Sequence, residues 1–141
     1  MNDTITIDGV IYSGDKKIFI KYPEEKQEET FHVPDFVEEL GAGCFSDNEK
    51  IKNIFIGEKV RKIGERAFDC YNFNVKKVFI PNTVVELIGE IFGVGVDDGG
   101  CYYPVEVVGG TRASKIEFYC NERGIPFVDF DSDIVVFPIR E

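Results

Sequence analysis

The chain has 141 residues, with 26 Asp and Glu against 16 Lys and Arg, for a net charge of -10. That balance argues against a phosphate-backbone partner, and no apolar run approaches the roughly 18 residues that a membrane-spanning helix needs. A hydrophobic share of 43% and a mean hydropathy of -0.12 point to one folded, soluble domain spanning 1–141 rather than to disorder.

Residue usage favours strands. The sequence holds 16 Val and 16 Ile but only 2 Leu and 3 Ala, with 13 Phe, 6 Tyr and no Trp. β-branched and aromatic side chains suit a pleated, half-buried surface, and the best helix formers are nearly missing. Fourteen Gly and six Pro supply chain reversals between short strands.

In chain order, the opening MNDTITIDGV shows no basic stretch followed by an apolar core, so a cytoplasmic place is expected. A hairpin follows: Val10–Tyr12, a turn through Ser13-Gly14-Asp15, then Ile18–Tyr22. The acidic stretch PEEKQEE (23–29) is expected to be a solvated linker, so that hairpin and linker together fill 1–30.

Residues 31–104 carry a repeat. FHVPDFVEELGAGCF (31–45), IFIGEKVRKIGERAF (54–68) and VFIPNTVVELIGEIF (78–92) align without a gap. Val33, Ile56 and Ile80 share one column; Val37, Val60 and Val84 a second; Leu40, Ile63 and Leu87 a third; Phe45, Phe68 and Phe92 a fourth. The second step is one residue longer, and the extra residue falls within DCYNFNVKKVF. Gly41 and Gly64 are answered by Ile88, with Gly89 one place late, so the third copy is expected to turn differently. One copy cannot bury its own apolar edge, whereas stacked copies share a core and pair their strands in parallel. The segment GVGVDDGGCYYP (93–104) interrupts the array before a last repeat and a cap in 105–141.

That cap contains the one convincing helix. Ser114 and Glu117 form a capping box, Ile116, Tyr119, Cys120 and Arg123 follow at helical spacing, and Gly124 supplies the stop. A final strand pair is expected in PFVDF and DIVVFPI.

IFIGEKVRKIGERAFDC (54–70) is similar to the BspA-type leucine-rich repeat pattern I-x-I-P-x-x-V-x-x-I-G-x-x-A-F-x-x-C. DGVIYSGDKKIFIKYP (8–23) resembles the strand-turn-strand unit found before such repeats, and residues 107–130 resemble the segment that closes them. The resemblance implies a right-handed, β-rich solenoid of stacked short strands, serving in protein recognition and often on bacterial surfaces. It brings no catalytic residues and no cofactor. It also keeps open a secreted or cell-surface place, should the chain have been trimmed.

Cys44, Cys70, Cys101 and Cys120 include no C-x-x-C pair, so they are expected to be reduced core thiols rather than a metal site. His32 is the only histidine, and its one candidate nucleophile, Cys44, occupies a packing column with Ala67 and Ile91. GVGVDDGG lacks the glycine spacing of a phosphate loop. Asp129, Asp131 and Asp133 alternate like the start of a calcium loop, but Ile134 and Arg140 stand where its glycine and glutamate belong. The Asn2-Asp3-Thr4 sequon matters only in an exported chain.

Strand alternation yields the candidate binding surface. With Ile54 and Ile56 inward, Phe55 points outward, and stacking aligns it with His32, Phe79 and, by weaker alignment, Glu106. Asn53 and Lys77 lie beside them. The expected function is therefore a noncatalytic module that binds a protein partner through this aromatic column. The alternatives are a self-associating repeat that hides the column in a homo-oligomer, a hairpin or insertion folded over it, and a hydrolase using Asp97, Asp98 and the 129–133 acids.

Overall fold

The computed structural model of the protein describes residues 3–46, 48–69, 75–92, 94–98, 100–103, 105–110, 114–129 and 135–136. The first three coils each contribute one strand to each of two sheets and the last coil contributes one to the second sheet alone, so the apolar columns read from the sequence become the layers of one core. In the first sheet, β5 (Glu39–Leu40), β7 (Lys62–Ile63) and β9 (Glu86–Leu87) pair in parallel, with Leu40 beside Ile63 and Ile63 beside Leu87. In the second, β4 (Thr30–His32), β6 (Asn53–Phe55), β8 (Lys77–Ile80) and β12 (Val107–Gly110) do the same. Phe31 stands beside Ile54 and Ile54 beside Val78, which reproduces the shorter and then longer step of the repeat. Part of the segment holding the extra residue, 70–74, lies outside the described residues.

The N-terminal hairpin is β2 (Val10–Ser13) and β3 (Ile18–Lys21). It continues the first sheet: β3 pairs in parallel with β5, setting Phe19 beside Leu40 in the core column. An additional strand, β1 (Thr4–Ile7), pairs antiparallel with β2 through a turn at Asp8 (φ 52) and Gly9 (φ 84). Both turn residues are left-handed, as a tight two-residue hairpin requires. The signal for β1 was present: T-I-T-I alternates at strand period before an Asp-Gly pair.

The core centres on a line of rings. Phe45 lies 6.0 Å from Phe68, and Phe68 lies 5.4 Å from Phe92, all nearly parallel. Phe19 stacks on Phe45 at 5.0 Å at one end, and Tyr119 meets Phe92 edge-on at 6.0 Å at the other. Each such pair adds about 0.5–1.5 kcal/mol beyond burial. Gly64 is needed for a close approach, since a Cβ there would lie 2.7 Å from the Ala42 nitrogen. The third coil does turn differently: the left-handed residue is Gly43 and then Arg66 in the first two coils, but Gly89 rather than Glu90 in the third.

Within the insertion, β10 (Gly95–Asp97) pairs antiparallel with β11 (Gly100–Tyr102). The helix α1 (Lys115–Arg123) is capped as expected: Ser114 Oγ accepts from the Glu117 N–H at 3.3 Å, and Gly124 (φ 73) ends it. Ile116, Tyr119 and Cys120 are buried. The strands β13 (Phe127–Asp129) and β14 (Val135–Val136) close the second sheet.

The acidic stretch 23–29 differs from the expected free linker. Its acidic side chains are exposed, but its backbone is fastened to the first coil by the fully buried Asn48. The Asn48 amide donates to the carbonyls of Pro23 (2.8 Å) and Lys26 (3.0 Å), while Oδ1 accepts from the N–H groups of Lys50 and Ile51, both at 2.8 Å.

Candidate functional site: the outer face of the second sheet

Alternation along β4, β6 and β8 sends Phe31, Ile54 and Val78 toward the core and His32, Phe55 and Phe79 to the outer face. The outward rings stack. His32 and Phe55 lie 4.5 Å apart at 7°, and Phe55 and Phe79 lie 4.6 Å apart at 3°. His32 is exposed, while Phe55 and Phe79 are half-buried because their faces cover one another. The column therefore offers ring edges, whose hydrogens carry the positive end of the aromatic quadrupole. The imidazole is its outermost member on β4, the edge strand of this sheet.

Asn53 and Lys77 take their expected places beside the rings, in register with Thr30. Asn53 donates to Thr30 Oγ1 at 3.1 Å. Glu106 does not extend the column. The pairing of β12 with β8 sets Gly109 beside Phe79, and Val128 of β13 next to Gly109. Glu106 instead donates its N–H to the Lys76 carbonyl at 2.7 Å, in a row before the strands formed by Glu29, Lys52, Lys76 and Glu106. The physical reason is the inserted hairpin, which lengthens the step between the third and fourth coils and makes a gapless alignment fail there. In that row Lys52 Nζ sits 3.5 Å from a Glu29 oxygen.

The candidate chemistries do not assemble around His32. The Cys44 thiol is buried and directed to the Ala67 carbonyl at 3.8 Å, whereas the imidazole lies on the outer face against Phe55. Cys120 is buried in the helix interface, and burial pushes its thiol up to about 12. Asp129 is buried and stands beside Gly110 on the inner side of β13, so it is no solvated surface acid. Asn2, Cys70, Asp131 and Asp133 lie outside the described residues, as do the side chains of Asp97 and Cys101. Among the described residues, no group of three or more His, Cys, Asp or Glu side chains is arranged to hold a metal ion.

One polar cluster went unread in the sequence. Glu90 accepts from the Tyr103 hydroxyl at 2.6 Å and from Arg123 Nε at 3.0 Å, and Arg123 lies 3.7 Å over the Tyr119 ring. The Tyr119 hydroxyl in turn accepts from the Ile91 N–H at 2.9 Å. Burial pushes the Glu90 carboxyl up, but the hydrogen bonds from Tyr103 and Arg123 and the Arg123 charge outweigh it and hold the group below its ordinary value. Burial likewise raises Tyr119 to about 12. The cluster ties residues on either side of the inserted hairpin, and the closing helix, to the third coil. Its members are scattered over 90–123, and no local motif announces them.

Among the described residues, no helix is long and apolar enough to cross a membrane. No curated protein matches the chain significantly. Among solved structures it is similar to a leucine-rich repeat protein from Eubacterium ventriosum, at 19% identity and a TM-score of 0.61, over 79% of this chain and 28% of that one. It is also similar to the pneumococcal vaccine antigen PcpA (21% identity, TM-score 0.56, 77% of this chain, 31% of that one). A leucine rich cell surface protein from Faecalibacterium prausnitzii matches at 15% identity and a TM-score of 0.50, over 75% and 33% of the two chains. The chain thus spans about a third or less of these structures, and the likeness is one of fold. The family model for the BspA type leucine rich repeat region matches residues 15–93, more than half of the sequence. With its columns stacked in register and that match in place, the chain belongs to the BspA-type leucine-rich repeat family.

Proposed function

We propose that the protein is a noncatalytic interaction module that binds a protein partner through the outer face of the second sheet, with His32, Phe55 and Phe79 at its centre and Asn53 and Lys77 at its margin. A protein-interaction repeat is what the family suggests; the finer assignment is our own. The observation that carries it is the unbroken stack of three outward rings on a sheet whose register holds them in place. Grouped apolar side chains on one face favour association, and a flat, prearranged column loses little entropy on binding. In the same reading residues 1–141 act as one domain. A place on a cell surface, where the Faecalibacterium neighbour is described, goes with this role; a cytoplasmic place is the alternative.

The test is a photo-cross-linking residue at position 55, with position 62 on the opposite sheet as control. Expected is one protein cross-linked from 55 and not from 62. Equal yields from both positions, or none from 55, count against the reading. Cross-linking to a second copy, with matching dimer sedimentation, replaces it with self-association.

A further inference from the structure

The first sheet stops at β9, and its ladder stops in a regular way. The carbonyls of Lys17 and Phe19 receive the N–H groups of Glu39 and Gly41; those of Glu38 and Leu40 receive Arg61 and Gly64; those of Arg61 and Ile63 receive Glu86 and Ile88. The next pair in this series is Val85 and Leu87. Among the described residues nothing donates to either carbonyl.

Where a further strand belongs, α1 lies alongside β9 and leaves a groove of about 540 Å³. Apolar side chains stand on both of its walls, with Val85 51% exposed, Ile88 40% and Phe118 64%, and its charged lining is Glu86 on the strand and Lys115, Glu122 and Arg123 on the helix. Leu87 is only half-buried, although Leu40 and Ile63 in the same column are fully buried. The side chains also specify what fits. On the outer side of the sheet the column Glu39, Lys62, Glu86 alternates in sign, so the following position calls for a cation. The inner column Leu40, Ile63, Leu87 calls for one more aliphatic residue.

We propose that the groove between β9 and α1 binds an extended peptide segment carrying a basic residue followed by an aliphatic one, added in parallel to β9. The segment donates two N–H groups to Val85 and Leu87, sets its basic side chain beside Glu86, and covers Leu87 with the aliphatic one. Such strand addition takes its affinity from main-chain hydrogen bonds and its selectivity from alternate side chains. This groove is on the first sheet and is independent of the aromatic column on the second.

The probe is a fluorescein-labelled synthetic peptide, KVRKIGE, copied from residues 59–65, because that segment already makes these contacts with β5. Fluorescence anisotropy should show saturable binding below about 1 mM. Replacing its glycine by N-methylglycine removes one of the two donors and should weaken binding about tenfold. Phe118→Asp in the protein should weaken it at least about tenfold with an unchanged melting temperature, since the ring is largely exposed. Phe55→Thr should leave it unchanged. Absence of saturation, equal binding of the N-methylated peptide, or indifference to Phe118→Asp overturns the proposal. Loss of binding in Phe55→Thr moves the peptide to the second sheet and also overturns it. Self-association of the chain alone that Phe118→Asp abolishes gives the groove to a second copy instead.

Discussion

Replacing Asn48 by Ala removes four hydrogen bonds of 2.8–3.0 Å from a fully buried site. At roughly 1 kcal/mol net per bond, and more where a buried backbone group loses its partner, the loss is about 3–5 kcal/mol. That is a large share of the total of about 5–15 kcal/mol expected for a domain. In urea unfolding followed by circular dichroism, it moves the midpoint down by about 1–3 M at unchanged slope. Asn48→Asp sharpens the test. The carboxylate keeps the bonds from Lys50 and Ile51 but turns an oxygen on the carbonyls of Pro23 and Lys26. Only the protonated acid donates to one of them, so its folded pKa is raised above the unfolded one. The deficit of this variant is then largest at neutral pH and shrinks as pH falls through the raised value. A cost below about 1 kcal/mol for Asn48→Ala, or a deficit in Asn48→Asp that grows on acidification, refutes the assignment of Asn48 as the anchor of the 23–29 segment.

Three further outcomes follow from the packing. Gly64→Ala pushes a Cβ to 2.7 Å from the Ala42 nitrogen and should cost about 1–3 kcal/mol, whereas Gly57→Ala, whose nearest neighbour is 3.4 Å away, should be close to neutral by thermal melting. Phe55→Thr removes two stacked contacts and should cost about 1–3 kcal/mol, read as a melting temperature lowered by several degrees. Glu90→Gln should cost no more than about 1 kcal/mol at neutral pH, because the side chain is part-exposed and screened. Since the folded pKa of Glu90 is lowered, its contribution is present above the ordinary value of 4.5 and lost as pH falls through the folded one, so wild type and variant should converge in acid.

The stacking of coils was legible because it depends on periodic apolar residues, and the four columns keep common offsets through Phe92. The outward position of Phe55 followed from alternation alone. What failed to follow has identifiable causes. Glu106 was misaligned because the inserted hairpin changed the spacing, and only pairing through Val108 and Val78 sets the register there. Asn48 was invisible because its partners are backbone atoms of a charged segment that carries no apolar pattern. Tyr119 and Arg123 share a helix face at i, i+4, but Glu90 reaches Tyr103 and Arg123 from 13 and 33 positions away, distances over which side-chain hydrogen bonds leave no periodic trace.

The spacing of the coils acts as a filter on side-chain chemistry, and that separates two roles of the aromatic column. Neighbouring strands lie about 4.8 Å apart, so every outward position meets its own counterpart at that distance. Like charges there repel, which fits the alternation of Glu39, Lys62 and Glu86. Flat rings at that distance attract, and the observed 4.5 and 4.6 Å stacks follow. Ladder stability alone is therefore a sufficient reason for flat rings at 32, 55 and 79, and it says nothing about their outer edges. Recognition, by contrast, depends on those edges. Phe55→Tyr keeps both stacked faces and adds a hydroxyl at the far edge of the ring. A column that serves only the ladder predicts unchanged stability and unchanged cross-linking from neighbouring position 53. A column that binds a partner predicts unchanged stability with cross-linking from 53 reduced severalfold, and a melting temperature that falls with Phe55→Tyr would refute the premise that the faces, not the edges, hold the stack.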